Sequence, residues 1–450
     1  MRRPLLFLAC LALATGTAFA RDIYVSSETG KNDNPGTKEA PKKLLWKVMG
    51  ELSPGDHVFV AEGRQEGQSK SGLMPKCAVS KVTIEGGWKK DFSERDPFKY
   101  LTIIGPPDDV QGATGSVFHF ESPDGKLTEV TIDGFAIDGG QRSYYYSTGE
   151  PGAEKAIEGH FDCTAWGYRE INRKMSGSDP TVVLIGRGSF TVRNMLLINN
   201  PWWGIYVKCG GPGTTTIENN LVLISQGRGI EAIVGGGWGA ATIVLRNNTV
   251  AFNHTMKTTE GRALSIDPRE GKYVVENNVC CFSDGAGVDT KFGAKGDALL
   301  LKDNLFFFNR RGDFAVGDSG VANCGSFDDE LECKHSGNVH EMPKFLSKIA
   351  KEWFDRYSSR EYVDMLAGNF NKEEELVAAR AVFGLKEYVL PGYKETFPSY
   401  KALPQKRNNY DMSRYPHPMK KGEALDWTQA VLPIVGADGP RGIQPYKAGM

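Results

Sequence analysis

The sequence has almost no net charge: 54 lysines and arginines stand against 55 aspartates and glutamates, a formal charge of -1. Such a balance offers no basic footprint for nucleic acid or for an anionic membrane surface. Long apolar runs are missing too. After residue 20 nothing approaches the roughly 18 to 20 apolar residues that span a bilayer, so no integral membrane segment is expected. Cysteine is sparse, at 8 of 450. With Cys10 set aside in the leader described below, Cys77, Cys163, Cys209, Cys280, Cys281, Cys324 and Cys333 remain. That set is odd in number, so at least one stays free or pairs outside the chain. Cys324 and Cys333 form the closest plausible bridge in an oxidising compartment. Zinc held with His335 and His340 is the weaker alternative, because the spacing matches no familiar site.

What is present begins with "MRRPLLFLACLALATGTAFA". Arg2 and Arg3 precede an apolar run from Leu5 to about Leu13, and Ala18-Phe19-Ala20 is a small-x-small ending. These are the parts of a secretory signal peptide cut before Arg21, which implies a secreted, periplasmic or extracellular protein. Glycine is abundant, 53 of 450 without a collagen-like period, as suits a fold with many tight turns.

A phrase recurs along the chain: "VTIDGFAID", "FTVRNMLLINN", "TTIENNLVLIS", "IVLRNNTVAFN", "YVVENNVCCFS" and "LLLKDNLFFFN". Each has an apolar strand, a polar corner and a second apolar strand. Counted at Gly134, Asn194, Asn220, Asn248, Asn278 and Asn304, the intervals are 60, 26, 28, 30 and 26 residues. One such unit cannot bury its apolar face alone, so a fixed period in this range signals a solenoid. Alternation with period two, rich in Val, Ile and Phe, makes it a β-solenoid. Asparagine tolerates the left-handed region and bonds neighbouring backbone, which fits a stacked corner. The expected fold is all-β: a right-handed parallel β-helix of about 8 to 10 coils. The interval of 60 holds an extra coil or a long loop.

The segment "IYVSSETGKNDNPGTKEAPKKLLWKVMGELSPGDHVFVAEG", residues 23 to 63, resembles the opening of secreted parallel β-helix proteins of the pectate-lyase-like superfamily. There a strand and an Asn-Pro-Gly-Thr turn lead to a short helix, and a Pro-Gly-Asp turn opens the first coil. Leu44, Leu45, Val48, Met49 and Leu52 make one helical stripe suited to covering the open end of the solenoid. Beyond about residue 340 the period fades. Phe345, Ile349, Trp353 and Tyr357 share a helical face, Asn371 and Glu374 resemble a capping box, and the tail from Tyr388 is rich in proline and tyrosine. The expected division is a signal peptide over 1-20, the β-helix over 21-340, and a helical and irregular appendage over 341-450.

Downstream of the corners lie "GIYVKCG", "GIEAIVG", "ALSIDPRE" and "GVDTKFG". Setting Ile205, Ile230, Leu264 and Val288 inward stacks Tyr206, Glu231, Ser265 and Asp289 outward. Two residues on come Lys208, Ile233, Asp267 and Lys291. Stacked opposite charges are ordinarily a solvated ladder worth about 0 to 1 kcal/mol per pair. Here Trp202, Trp203, Trp238 and "SYYYS" stand nearby, the flat faces that a sugar polymer would stack on.

The chemistry such a patch would serve is proton abstraction beside a uronate carboxylate. Polysaccharide lyases of the fold that this chain resembles pair an acidic cluster with Lys and Arg. In this patch the residue chemistry offers Lys291 or Lys208 as base, Arg269 as carboxylate clamp, Glu231, Asp267 and Asp289 as calcium ligands, and Tyr206, Trp202, Trp203 and Trp238 as substrate contacts, with no full lyase motif matched residue by residue. Asp267, Pro268 and Glu270 resemble the Asp-Pro-His-Glu motif of mannuronan C5-epimerases, but Arg269 stands at the histidine and Leu264 at the tyrosine. A glycoside hydrolase would want adjacent aspartates in the strand column, whereas the pairs beginning at Asp108 and Asp328 lie outside it. The expected function is a lyase on an acidic polysaccharide. The alternative is a non-catalytic carbohydrate-binding or surface scaffold, with epimerase and hydrolase behind both.

Overall fold

The computed structural model describes residues 20-448 apart from 139-179, 349-426 and the short stretches 69-71, 106-115, 124-125, 201, 226, 254-260, 284, 291-292, 308, 310-311 and 317-319. The described chain winds into a parallel β-helix with three faces. On the second face nine strands stack, from Gly63–Gln65 to Val339–His340, which counts the coils. A typical coil runs Thr214–Glu218 on the first face, Leu221–Ser225 on the second and Ile230–Val234 on the third, then enters the next at Thr242–Arg246. All inter-coil pairings are parallel except one, Phe314–Val316 against Gly320–Ala322 at the C-terminal end. Its hand is right, as parallel crossovers demand.

Alternation decides what fills the lumen. On Thr214–Glu218 the residues Thr215 and Ile217 are buried while Thr216 and Glu218 are not. Stacked over nine coils, such positions give one continuous core from Ile23 to Cys333. Its N-terminal end is closed by the helix Leu45–Met49, whose Leu45, Val48 and Met49 join that core, with Leu52 packed beside it.

The interval of 60 residues is a single coil. Thr128–Asp133 pairs directly with the second half of Val182–Arg193, and Ala136 pairs with Leu196. Residues 139-179, which include the "SYYYS" stretch, lie outside the described residues. Helix expectations over 349-357 and 371-383 also lie outside them.

The corner count merges two columns that the structure separates. Gly134, Asn194, Asn219, Asn247, Asn277 and Asp303 occupy the left-handed region, with φ of 82, 55, 56, 53, 54 and 54°. The next residue in each coil points inward, and there Asn220, Asn248, Asn278 and Asn304 are fully buried. Each inner amide donates to the next: Asn220 to Asn248 at 2.9 Å, Asn248 to Asn278 at 2.9 Å, Asn278 to Asn304 at 3.0 Å and Asn304 to Asn338 at 2.9 Å. The second proton of each goes to a main-chain carbonyl, as from Asn278 to Leu245 O at 2.9 Å.

At the C-terminal end, residues 427-448 run along the outside of this corner. Arg441 Nε donates to Asp303 O (2.9 Å), Gly442 N to Asn277 O (2.7 Å), and Asn247 Nδ2 to Pro440 O (2.7 Å). Gln444 N then donates to Asn219 Oδ1 (2.5 Å), and Arg95 Nη1 to the Tyr446 hydroxyl (3.0 Å). The strap thus crosses the coils in reverse order. The disulfide expected between Cys324 and Cys333 is not formed; both are free thiols. Cys324 is held instead at Asp313, whose carboxylate accepts its backbone N–H at 3.0 Å.

Asn278→Ala should lower stability by about 3 kcal/mol in urea unfolding, because it leaves buried groups of Asn248, Asn304 and Leu245 without this partner. Asn277→Gly, one residue earlier at φ 54°, should change it by less than about 1 kcal/mol.

Candidate functional site

The third face carries the expected column in the expected register. Ile205, Ile230, Leu264 and Val288 are successive partners, and so are Tyr206, Glu231, Ser265 and Asp289. The column also extends further than the sequence reading took it, to Val183 and His119 on one side and Ala315 on the other. Two residues on, Glu121, Ile185, Lys208, Ile233 and Asp267 stack in the same way. Lys291, the remaining member and one of the two expected bases, lies outside the described residues.

The inner of these two columns is not a solvated ladder. Glu231 is 7% exposed, Ser265 4% and Asp289 0%. Buried carboxylates need cations, and a third column supplies them. Gly204 N donates to Arg228 O, Gly229 N to Arg262 O and Ala263 N to Ala286 O, which stacks Trp203, Arg228, Arg262 and Ala286 in the turn before the strands. Arg228 lies 4.9 Å from the Trp203 ring centroid and ion-pairs with Glu231 three residues on. Three residues after Arg262 stands Ser265, which has no charge to offer. Arg262 reaches instead to the next coil, where its Nε lies 3.2 Å from Asp289 Oδ2. Asp289's own coil has Ala286 at the arginine position. The signal for this column is visible in the sequence as the repeated Gly-Arg of Gly227-Arg228 and Gly261-Arg262, three residues before a charged or polar strand residue.

The aromatic groups are fixed by packing. Trp203 touches Trp202 edge-on at 5.2 Å and Tyr206 at 5.2 Å. Gly227 is small because a Cβ there would lie 2.8 Å from both indoles. Burial first, and then the charge of Glu231, push the Tyr206 hydroxyl up to about 12 against a smaller opposing effect of Arg228. Tyr206 is therefore a hydrogen-bond donor at neutral pH and a poor base.

The outer column is the accessible one. Lys208, Ile233 and Asp267 are partly exposed, and Arg269 is exposed. Lys208 Nζ sits 5.3 Å from the centroid of Trp238, whose indole lies over Gly235. Arg269 holds Asp267 with two bonds, Nε to Oδ1 at 2.8 Å and Nη2 to Oδ2 at 2.6 Å. Leu264, at the place of the epimerase tyrosine, faces the lumen and is fully buried.

Glu231, Asp267 and Asp289 thus share one wall, but each lies against its own arginine. Among the described residues no three His, Cys, Asp or Glu side chains converge on a metal-sized site. A calcium ion at the three expected ligands would have to displace those arginines first.

No family model matches the sequence, and no curated protein matches it. Among solved structures, a pectate lyase aligns with a TM-score of 0.36 at 10% identity, covering 80% of this chain and 88% of its own. A rhamnogalacturonan lyase aligns with a TM-score of 0.35 at 12% identity, covering 71% and 88%. A structure described as XylC with xylose gives 0.24 at 10% identity, covering 71% and 83%. The likeness is in architecture; the parallel β-helix itself is established by the strand pairing described above.

Arg228→Met removes the cation that neutralises buried Glu231 and should cost about 3 kcal/mol in urea unfolding. Adding Glu231→Gln should recover most of that loss, and a double-mutant cycle measures the coupling.

Proposed function

We propose that the protein binds an acidic, uronate-containing polysaccharide along the third face and cleaves it by β-elimination. The observation that carries the reading is the outer column. Lys208 and the Asp267–Arg269 pair lie two coils apart, roughly 10 Å, with apolar Ile233 between them and Trp238 alongside. A sugar ring has an apolar face that suits Ile233 and Trp238, and its carboxylate suits the forked donors of an arginine.

In the reaction, a base takes the proton on the carbon beside the uronate carboxylate. The electron pair left behind forms the carbon–carbon double bond as the bond from the neighbouring carbon to the glycosidic oxygen breaks. The departing oxygen takes a proton from water. Lys208 in its neutral form is the base within the described residues, and Lys291 is the other candidate. Arg269 exchanges Asp267 for the uronate carboxylate and so supplies the neutralisation that calcium on Glu231, Asp267 and Asp289 would otherwise provide. Tyr206, Trp202 and Trp203 form the wall beside the sugar. The leader read in the sequence supports an activity outside the cytoplasm.

One observation favours the second reading, a non-catalytic carbohydrate-binding scaffold: both buried carboxylates are already neutralised by Arg228 and Arg262 and are not poised for acid or base work.

Pectate, alginate and glycosaminoglycans, each with and without calcium, separate the two readings. The expected result is rising ultraviolet absorbance from the unsaturated product on one polymer, lost more than 100-fold in Lys208→Ala or Lys291→Ala and at least 10-fold in Arg269→Ala. Binding without that absorbance on every polymer would establish the scaffold instead.

A further inference from the structure

We infer that Asp56 is the receptor for the α-ammonium group created when the leader is cut between Ala20 and Arg21, so that maturation itself fastens the first strand of the solenoid. The inference rests on the export reading and on the geometry around one buried carboxylate. The Asp56 side chain has no solvent exposure. Its Oδ1 accepts from the Arg21 backbone nitrogen at 3.1 Å and from Arg21 Nε at 3.1 Å. Its Oδ2 accepts from Arg21 Nη2 at 2.6 Å and from Ser53 N at 2.8 Å.

Arg21 is thereby held from three sides. Its Nη2 also donates to Glu51 O at 2.9 Å, and its carbonyl accepts from His57 N at 2.8 Å. The next residue, Asp22, begins the strand that pairs in register with Asp56–Ala61, starting at Asp22 with His57. Burial raises the Asp56 carboxyl, yet the Arg21 guanidinium and the Ser53 and Arg21 N–H groups outweigh it and hold the group below the ordinary carboxylate range. The carboxylate is therefore ionised wherever an ammonium would meet it.

Ala20, by contrast, is exposed. Cutting after it converts the Arg21 amide nitrogen into a cation. An amide N–H at 3.1 Å becomes a charge-assisted bond to a carboxylate screened from water, the stronger kind. The strand it anchors is the first of that face; Gly36 and Lys42 bond its outer edge from Tyr24 onward, and Asp56 holds its Arg21 end.

The test uses the full gene expressed for export. N-terminal sequencing of the native product should begin at Arg21; another start overturns the inference, and an uncut product overturns the export reading with it. A second gene carries Gly-Ser inserted between Ala20 and Arg21, so that its product keeps an amide at Arg21. The native product should melt on the order of 2 °C higher than the insertion product at neutral pH. A partnered ammonium has a raised pKa, so this advantage is fully present below about pH 8 and disappears as pH rises through the raised value. It should also vanish when both products carry Asp56→Asn. Equal melting at neutral pH, or an advantage that survives Asp56→Asn, would overturn the inference. Should Asp56→Asn fail to fold, an advantage that does not decline at high pH overturns it just as well.

Discussion

The later coils of this fold depend on satisfying their corner amides from inside, from Asn220 to Asn338. A parallel β-helix turns sharply between faces, and at each turn the main chain leaves groups that the strand ladders do not pair. Asn220, Asn248, Asn278 and Asn304 meet this need with one residue type at one position. Each takes a bond from the amide before it, passes one to the amide after it, and returns one to a carbonyl of a neighbouring coil. The spacing of coils and the spacing of amides are then the same quantity. A coil of different rise would break two ladders at once, which is why intervals of 25 to 34 residues can vary outside the corner without disturbing the stack.

The second constraint is electrostatic, and it answers why opposite charges recur at stacked positions. Along the first face, Asp133, Arg193, Glu218, Arg246, Glu276 and Lys302 are successive register partners of alternating sign. Arg193 reaches Asp133 at 2.7 Å, and Arg246 reaches Glu218 at 2.6 Å. Where alternation fails, between Glu85 and Asp133, Arg95 enters from a loop and pairs with Asp133 at 2.6 Å. The Tyr446 ring of the strap then covers Arg95 at 5.2 Å. Like charges a few ångströms apart would repel along the whole column, so alternation is the cheapest sequence that lets long polar side chains stack.

Period and alternation made the fold legible, because both follow from one-dimensional rules. The register of Ile205, Ile230, Leu264 and Val288 could be read from the sequence since an inward residue in one coil demands an inward residue in the next. The corner columns could not be separated that way. Asn194 occupies the left-handed position and Asn220 the inward one, and the letter N is the same for both. The pairing of Arg262 with Asp289 was hidden for a different reason. It skips the residue three places on and crosses to another coil, so it needs coordinates rather than spacing. The Cys324–Cys333 bridge was inferred from proximity along the chain, and proximity does not fix where a thiol points.

The two polar columns of the third face divide the work that the sequence had assigned to one. In the inner column, Glu231 and Asp289 are matched with Arg228 and Arg262, and Trp203 closes one end of the arginine stack. A matched buried pair contributes shape and specificity more than energy, and the one between Arg262 and Asp289 also ties two adjacent coils together. The outer column rests on that frame. Lys208 and the Asp267–Arg269 pair stand two coils apart with the strand Ile230–Val234 between them, and Gly235 leaves room for the Trp238 indole. On the proposed reading, a polymer lying along the helix axis would meet a new strand about every 4.8 Å, with charged groups on alternate coils at Glu121, Lys208 and Asp267. On the proposed reading that geometry suits a long chain of like units, with Lys208 and Arg269 as the groups that would meet them.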